Sequence, residues 1–101
     1  MTTPAKSKAK VELYLSRDSA TYHYVRSQVG RCCELIFGNG NYQVKVIDVL
    51  DRPDLAEKNN IEALPTIVCD GKRFIGTPQQ ERLLGFLGVG TRLTPPDDNR
   101  N

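Results

Sequence analysis

The 101-residue sequence predicts one α/β domain with the element order βαβαββα, in which helices flank a mixed four-stranded sheet. Three observations predict this class. A strand pattern, an amphipathic helix pattern and a second strand pattern come first, which is the order of a right-handed crossover between parallel strands. Pro65 then opens a further apolar run. Asp70 and Gly71 follow it and favour the tight turn of an antiparallel hairpin before the last helix.

The first strand and the first helix follow from two apolar periodicities. Val11, Leu13 and Leu15 alternate with more polar neighbours, and a period of two is typical of a strand. Residues 16–19 (Ser, Arg, Asp, Ser) end this alternation and carry oxygens that can accept bonds from the free amides of a helix start. A helix to about residue 37 is predicted by one apolar stripe, which consists of Tyr22, Val25, Val29, Cys32 and Ile36.

The second strand is predicted over residues 42–50, after a turn at residues 38–41 (Gly, Asn, Gly, Asn). Its apolar side chains are too many for a half-solvated strand, so we expect it to be largely buried and parallel to the first. Residues 53–59 predict a short second helix, because Asp51 occupies a capping position, Pro53 comes early and Asp54 adds an acid to the first turn.

The last third predicts a strand, a hairpin, a strand and a helix. Pro65 can begin a strand but cannot lie within one, so residues 67–69 and 72–75 form the paired strands. Thr77, Pro78 and the glutamine at position 80 combine the features of a helix start, which predicts a helix over residues 78–87.

Polar composition predicts flexible tails over residues 1–10, which are basic, and 89–101, around a domain of residues 11–88. A basic arm that contacts a partner is the alternative for the first tail.

Charge and composition exclude several classes of function. Lysine and arginine number 14 against 12 acidic residues, and the resulting net charge of +2 gives no strong field for nucleic acid or for a membrane surface. No apolar stretch has the roughly 18 residues of a membrane span, and the N-terminus lacks the apolar core of a secretion signal. We therefore expect a cytoplasmic protein with no nucleic-acid or membrane partner.

The numbers and spacing of the cysteine and histidine residues do not fit the common metal-binding sites. Cys32, Cys33 and Cys69 suit neither a disulfide framework nor a four-ligand zinc site, so reduced thiols are expected. His23 is the only histidine and is interpreted as an exposed helix residue rather than an acid or base. Asp48 lies within an apolar strand, where a buried carboxylate is costly unless it is bonded, so it is either a tuned acid or, as we prefer, a strand-end carboxylate bonded to local amides. No metal, cofactor or catalytic residue is predicted.

The element order resembles the thioredoxin-like arrangement, in which a cis-proline begins the third strand; the resemblance places Pro65 at that position. Residues 45–50 (Lys, Val, Ile, Asp, Val, Leu), Pro53, the Leu-Ala-Glu of residues 55–57 and the later Ile61, Ala63, Pro65 and Thr66 also resemble the KaiB family of clock and signalling proteins. This second resemblance covers roughly residues 11–87 and depends on both identity and spacing.

The KaiB resemblance implies a non-enzymatic adaptor whose thioredoxin-like form docks on the ring of a KaiC-type ATPase, in a clock or a stress-signalling pathway. It also implies a partner-binding surface formed by Pro53, Leu55, Glu57 and Lys58, and a charged contact to a further clock partner at Lys45. The alternatives are that Leu55 packs inward, that the charges are solvated and that Lys45 is an ordinary exposed strand lysine. A related domain serves as the sensor of a histidine kinase, so a kinase is a second candidate partner.

One departure from the family concerns the resting fold. Clock members have a longer, proline-rich segment after the third strand and can rest in a different, tetrameric fold. In this chain Asp70 and Gly71 close a short hairpin, so local turn chemistry favours the thioredoxin-like arrangement. We expect the protein to rest in that fold as a monomer or a dimer.

A thioredoxin-fold redox or thiol-binding protein is the alternative function. Thioredoxins and glutaredoxins carry a Cys-x-x-Cys motif at the start of the first helix, but residues 16–21 of this chain contain no cysteine. Disulfide exchange at that place is therefore excluded. Such a protein would have to use Cys32, Cys33 or Cys69, which we interpret as packing residues, with one of the first two on the apolar stripe.

Overall fold

The computed structural model describes residues 8–88 and contains the seven predicted elements in the predicted order. They are the strands β1 (Ala9–Leu15), β2 (Tyr42–Asp48), β3 (Thr66–Cys69) and β4 (Lys72–Ile75), and the helices α1 (Tyr22–Phe37), α2 (Pro53–Lys58) and α3 (Gln80–Gly88). The strands form one sheet in the order β2-β1-β3-β4. Strand β1 pairs parallel with β2 and antiparallel with β3, and β3 pairs antiparallel with β4. The α/β class and the mixed sheet are confirmed.

The main core lies between one face of the sheet and the helices α1 and α3. Leu13 of β1, Val29 of α1 and Leu83 of α3 are fully buried in it. The alternation of Val11, Leu13 and Leu15 directs these side chains to the same face, as the period of two requires. The predicted stripe of α1 is its buried face, because Val25, Val29 and Cys32 are fully buried and the other two members pack against the core. The full set of buried residues in this core is Val11, Leu13, Leu15, Val25, Val29, Cys32, Cys33, Ile67, Cys69, Leu83 and Leu87.

The opposite face of the sheet is covered near the end of α2. Tyr14 lies in register with Ile47 of β2 and with Thr66 of β3, and all three side chains are buried. The Asn59 Nδ2 amide, directly after α2, donates a hydrogen bond of 2.8 Å to the Tyr14 hydroxyl. Helical segments therefore contribute to both layers around the sheet, as the sequence predicts.

Strand β2 is less buried than predicted. It forms an edge of the sheet, it ends at Asp48 rather than at residue 50, and Ile47 is its only buried residue. Leu50 lies beyond the strand and is 48% exposed. The prediction of a largely buried strand was wrong because burial depends on which strands flank it, and an edge strand has a neighbour on one side only.

The start of β1 also differs from the prediction. The strand begins at Ala9 instead of Val11, and the Ala9 amide donates a hydrogen bond to the Asn41 carbonyl at 3.0 Å. Backbone pairing of this kind needs no apolar side chain, so the apolar pattern did not show it. Ala9 and Lys10, which the sequence assigned to the basic tail, thus belong to the sheet. The remaining tail segments, residues 1–7 and 89–101, lie outside the described residues.

The polar residues before α1 do not cap it, and helix α3 begins later than predicted. The Ser16 and Ser19 hydroxyls accept bonds from the Asp18 and Thr21 amides, each at 3.2 Å, so these oxygens stabilise turns before α1 rather than its first amides. Helix α3 begins at Gln80, two residues after Pro78, and Pro78 is buried instead of occupying the first turn. Turn-forming and helix-capping residues are the same types, so composition alone did not separate the two roles.

The segment around β3 has special backbone geometry at both ends. The peptide bond between Leu64 and Pro65 is cis, and the Pro65 carbonyl accepts a bond from the Gly76 amide at 2.9 Å. At the other end, Asp70 and Gly71 connect β3 to β4 with φ of 55° and 77°. Two successive positive φ values are those of the hairpin turn that an Asp-Gly pair favours.

A pair of glycine-to-alanine substitutions tests this turn. Gly71→Ala should lower the free energy of unfolding by about 1 kcal/mol, because alanine is strained at a positive φ even where its methyl group has space. Gly85→Ala, in α3 with nothing within 4 Å of the added carbon, should raise it by about 0.5 to 1 kcal/mol. Urea unfolding measures both, and changes of the same sign would contradict this account of the turn.

Candidate functional site

Helix α2 is the most exposed helix of the fold and carries four of the residues expected to bind a partner. Pro53, Glu57 and Lys58 are exposed, while Leu55 is half-buried. None of the six side chains of α2 is fully buried against residues 8–88. The two alternatives for Leu55 are thus combined in one position, since part of its side chain packs inward and part faces solvent.

The start of α2 is held by backbone and charge contacts rather than by the predicted aspartate cap. The Asp51 and Arg52 amides both donate to the Asp48 carbonyl, at 3.0 and 2.9 Å. Pro53 occupies the first turn, where its missing amide hydrogen costs nothing. Arg52 pairs with Asp54 at 2.9 Å, and hydrogen bonds from this guanidinium hold the pKa of Asp54 below its ordinary value. Asp51 does not cap the helix.

Arg17 joins the loop before α1 to the end of β2. Its Nη1 atom lies 2.8 Å from Asp48 Oδ2 and 2.9 Å from Asp51 Oδ1, and the Leu50 amide donates to Asp48 Oδ1 at 2.9 Å. Partial burial, with 12% of the side chain exposed, is the largest influence on the pKa of Asp48 and raises it. The bonds from Leu50 and Arg17 together outweigh burial and lower the pKa below its ordinary value. Asp48 is therefore a bonded strand-end carboxylate rather than an acid tuned for catalysis.

A cleft of about 460 Å³ runs from the start of α1 past the edge of β2 to α2. It brings together two residues that the KaiB resemblance nominated, Lys45 and Leu55, and adds Arg26, whose guanidinium lies 5.4 Å from the centre of the Tyr22 ring. Lys45 is exposed and forms no ion pair with any residue between 8 and 88. The complete lining is Arg17, Tyr22, Arg26, Lys45, Val46, Ile47, Asp48, Asp51, Arg52 and Leu55. With α2, this cleft forms the candidate partner-binding surface.

Sequence reasoning missed a polar cluster at the other end of α2. The Tyr14 hydroxyl donates to Glu12 Oε1 at 3.1 Å and accepts from Asn59, while Arg73 of β4 donates from Nη1 to the Asn60 carbonyl at 2.9 Å and from Nη2 to the Asn59 carbonyl. Burial, followed by the bond to Glu12, raises the pKa of Tyr14. The only local signal was the Asn-Asn pair that ends the helix, and it did not indicate which distant side chains would contact it.

All three cysteine side chains are buried. Cys32 and Cys33 both lie in the main core, although only one of them was expected on the apolar stripe. Burial, together with the neighbouring thiols of Cys69 and Cys32, raises the pKa of Cys33 to about 12. Burial likewise raises the pKa of Cys32 and of Cys69. These thiols are kept in the protonated form, which is a poor nucleophile.

The described part of the chain contains no group of three or more His, Cys, Asp or Glu residues that could hold a metal ion. No helix between residues 8 and 88 is long and apolar enough to cross a membrane. His23 is exposed and lies edge-on to Tyr22, with ring centres 5.2 Å apart.

Comparison with protein families identifies most of this domain. The family model described as KaiB domain matches residues 12–85, which include most of β1, α2, the hairpin and most of α3. No curated protein matches the chain.

Solved structures of similar shape show the fold. The solution structure of the N-terminal domain of Synechococcus elongatus SasA has a TM-score of 0.71 and 16% identity, covering 94% of this chain and 95% of that one. A mutant thioredoxin from Halobacterium salinarum has a TM-score of 0.69 and 17% identity, covering 88% and 80%. Chloroplastic thioredoxin z has a TM-score of 0.67 and 21% identity, covering 82% and 78%. The fold is thioredoxin-like.

The carboxylate at the end of β2 predicts a pH dependence of stability. Because the folded-state pKa of Asp48 lies below the value of about 3.9 expected for an unfolded chain, its contribution to stability is complete above that pH and is lost as the pH falls through the folded-state pKa. When the pH is lowered from about 5 to about 2, the free energy of unfolding should therefore fall less for Asp48→Asn than for the unsubstituted protein. Urea midpoints measured across this range test the expectation, and identical losses would contradict it.

The buried thiols predict low reactivity in the folded protein. At about pH 8, a disulfide reagent such as DTNB should modify the folded chain only at the rate at which it opens, because buried thiols have raised pKa values and no access to reagent. The denatured chain should react at all 3 cysteines at once. Rapid modification of a folded-state thiol would overturn this interpretation and revive the redox alternative.

Proposed function

The chain belongs to the KaiB family, and from this premise we propose that it is a non-enzymatic cytoplasmic adaptor that binds a KaiC-type ATPase ring in a clock or stress-signalling pathway. We propose the same partner-binding residues that the resemblance nominated, which are Lys45, Pro53, Leu55, Glu57 and Lys58. In this proposal the adaptor is a monomer or a dimer before it meets the ring.

The observation that carries the proposal is the exposure of α2 within the family-matched segment. Short helices in small domains ordinarily bury an apolar face, yet no side chain of α2 is fully buried against residues 8–88, and Pro53, Glu57 and Lys58 are exposed. The half-buried Leu55 offers apolar contact area beside these polar groups. A helix that presents apolar and charged groups together has the composition of a protein-binding surface, where an apolar centre is surrounded by a polar rim.

The adjoining cleft supports binding to an acidic surface. Arg26 and Lys45 line it without an ion pair to any described carboxylate, whereas Arg17 is already neutralised by Asp48 and Asp51. Unpaired basic side chains at the rim of an interface chiefly accelerate association with an acidic partner. We therefore propose that a partner presents acidic side chains to Arg26 and Lys45, and for Lys45 the resemblance implies that this partner is a further clock protein rather than the ring.

The two alternative functions differ in their support. A redox or thiol-binding role would have to use thiols that are buried and have raised pKa values, so the arrangement of the cysteines favours the adaptor. A kinase-binding sensor domain is the second candidate, and the likeness to the N-terminal domain of SasA is the observation that favours it. The two adaptor roles differ in the partner and not in the fold.

The first experiment is size-exclusion chromatography with light scattering of the purified protein, alone and mixed with the KaiC-type ATPase from the same source, in ATP and in ADP. Co-elution that depends on the nucleotide would support the adaptor role. If both proteins are folded and no complex forms in either nucleotide, the ATPase proposal is wrong, and a histidine kinase from the same source becomes the partner to test.

Charge reversal on α2 tests the proposed surface. Lys58→Glu should weaken binding to the ring mainly by slowing association, and it should change the dependence of the association rate on salt, because an exposed charge acts by electrostatic steering. Lys72→Glu is the matched control, since it makes the same charge change at an exposed lysine that lines a different cleft, beside Phe86 and Leu87 of α3. Surface plasmon resonance at two salt concentrations gives both rates. Equal association rates for a folded Lys58→Glu protein and the unsubstituted protein would count against this surface.

A further inference from the structure

Helix α2 is short and has little buried surface. It has six residues, far fewer than the roughly 12 to 15 that an isolated helix needs to persist in water. In proteins such a helix is ordinarily held by burying an apolar face, but no side chain of α2 is fully buried in the part of the chain that the structure describes. The partial burial of Leu55 and Ala56 supplies limited packing, so we look to polar contacts for the rest of its attachment to the sheet.

A set of hydrogen bonds at the C-terminal end of α2 supplies this attachment. Asn59 donates from its side-chain amide to the Tyr14 hydroxyl at 2.8 Å and to the Leu55 carbonyl at 3.0 Å. Arg73 donates from its two terminal nitrogens to the carbonyls of Asn59 and Asn60. We refer to Tyr14, Asn59 and Arg73 as the α2 latch.

The α2 latch connects three parts of the fold. Tyr14 is buried in the central strand β1, and Arg73 lies on the edge strand β4, so the end of α2 is bonded to two strands that are not paired with each other. The latch also sits where the chain turns, because Asn60 has a φ of 56° and the Ile61 amide donates back to the Ala56 carbonyl at 2.8 Å. The bonds thereby fix the direction in which the chain leaves α2.

The chemistry of Arg73 suits this position. A planar guanidinium can donate to two adjacent carbonyls at once, whereas an ammonium is a point charge that cannot reproduce the fork. The C-terminal end of a helix also carries a partial negative charge, which a cation stabilises. Arg73 therefore matches both the shape and the sign of the end of α2.

We propose that the α2 latch is a positioning device for the partner-binding surface, so that Arg73 and Tyr14 control partner affinity without belonging to the nominated contact residues. This inference rests on the function proposed above. If the partner binds only the ordered form of α2, its apparent dissociation constant rises by the factor by which the ordered fraction falls. The ordered fraction of α2 and the affinity for the ring then depend on the same conformational equilibrium.

Three variants test the latch by amide hydrogen exchange of the free protein, followed by mass spectrometry. Arg73→Ala should raise the exchange rate of residues 55–61 by at least about tenfold, because it removes two charge-assisted bonds. Arg73→Lys should give a smaller increase. Tyr14→Phe should also raise it, although Tyr14 is buried and cannot touch a partner. Arg82→Lys on α3, an exposed arginine with no side-chain bond within residues 8–88, is the matched control and should change nothing.

Ring binding by the same variants completes the test. The proposal requires that the dissociation constants of Arg73→Ala and Tyr14→Phe rise in step with the loss of protection in α2. Unchanged exchange of residues 55–61 in both variants would overturn the latch, and so would lost protection with undiminished affinity. If Arg73→Ala does not fold, Arg73→Lys and Tyr14→Phe decide the matter. If the unsubstituted protein fails to bind the ring, the ATPase proposal is wrong, and with it the role of the latch in ring binding, while the exchange rates still decide whether the latch holds α2.

Discussion

Strand β1 is the element against which every other part of the domain is placed. It has a hydrogen-bonded neighbour on each edge, β2 and β3, and a covered layer on each face. Its alternating side chains separate two environments, since Leu13 enters the apolar core beneath α1 and α3 while Tyr14 enters the polar cluster at the end of α2. A shift of one residue in the pairing of β1 would exchange these environments, so the register of this strand determines both the core and the attachment of α2.

The sequence predicted the elements well because each had a strong local signal. The period of two around Leu13, the stripe that includes Val29 and the Asp-Gly turn are patterns within a few residues. The edge position of β2 and the turn-forming role of Ser16 and Ser19 were not predicted. Sheet order depends on contacts between distant segments, and Ser16 and Ser19 can stabilise a turn as readily as a helix start.

The candidate site was only partly predictable for the same reason. Residues on α2 could be named because they are contiguous and because the family resemblance covers them, and Lys45 was named from the same resemblance. Lys45 lies beside Arg26 in one cleft because α1 packs against the edge strand β2. No sequence pattern specifies that packing. The α2 latch joins positions 14, 59 and 73, and a contact among residues so far apart leaves no periodic signal.

The exposure of α2 has a consequence for how this domain can change over evolutionary time. Substitutions in the core of a small domain are limited by their cost to stability, whereas substitutions at surface positions usually change stability little. The outward positions of α2 are separate from that core, so mutations at Pro53, Glu57 and Lys58 can accumulate at little cost to folding. Gene duplicates of such a domain can therefore diverge in partner choice while retaining the same scaffold.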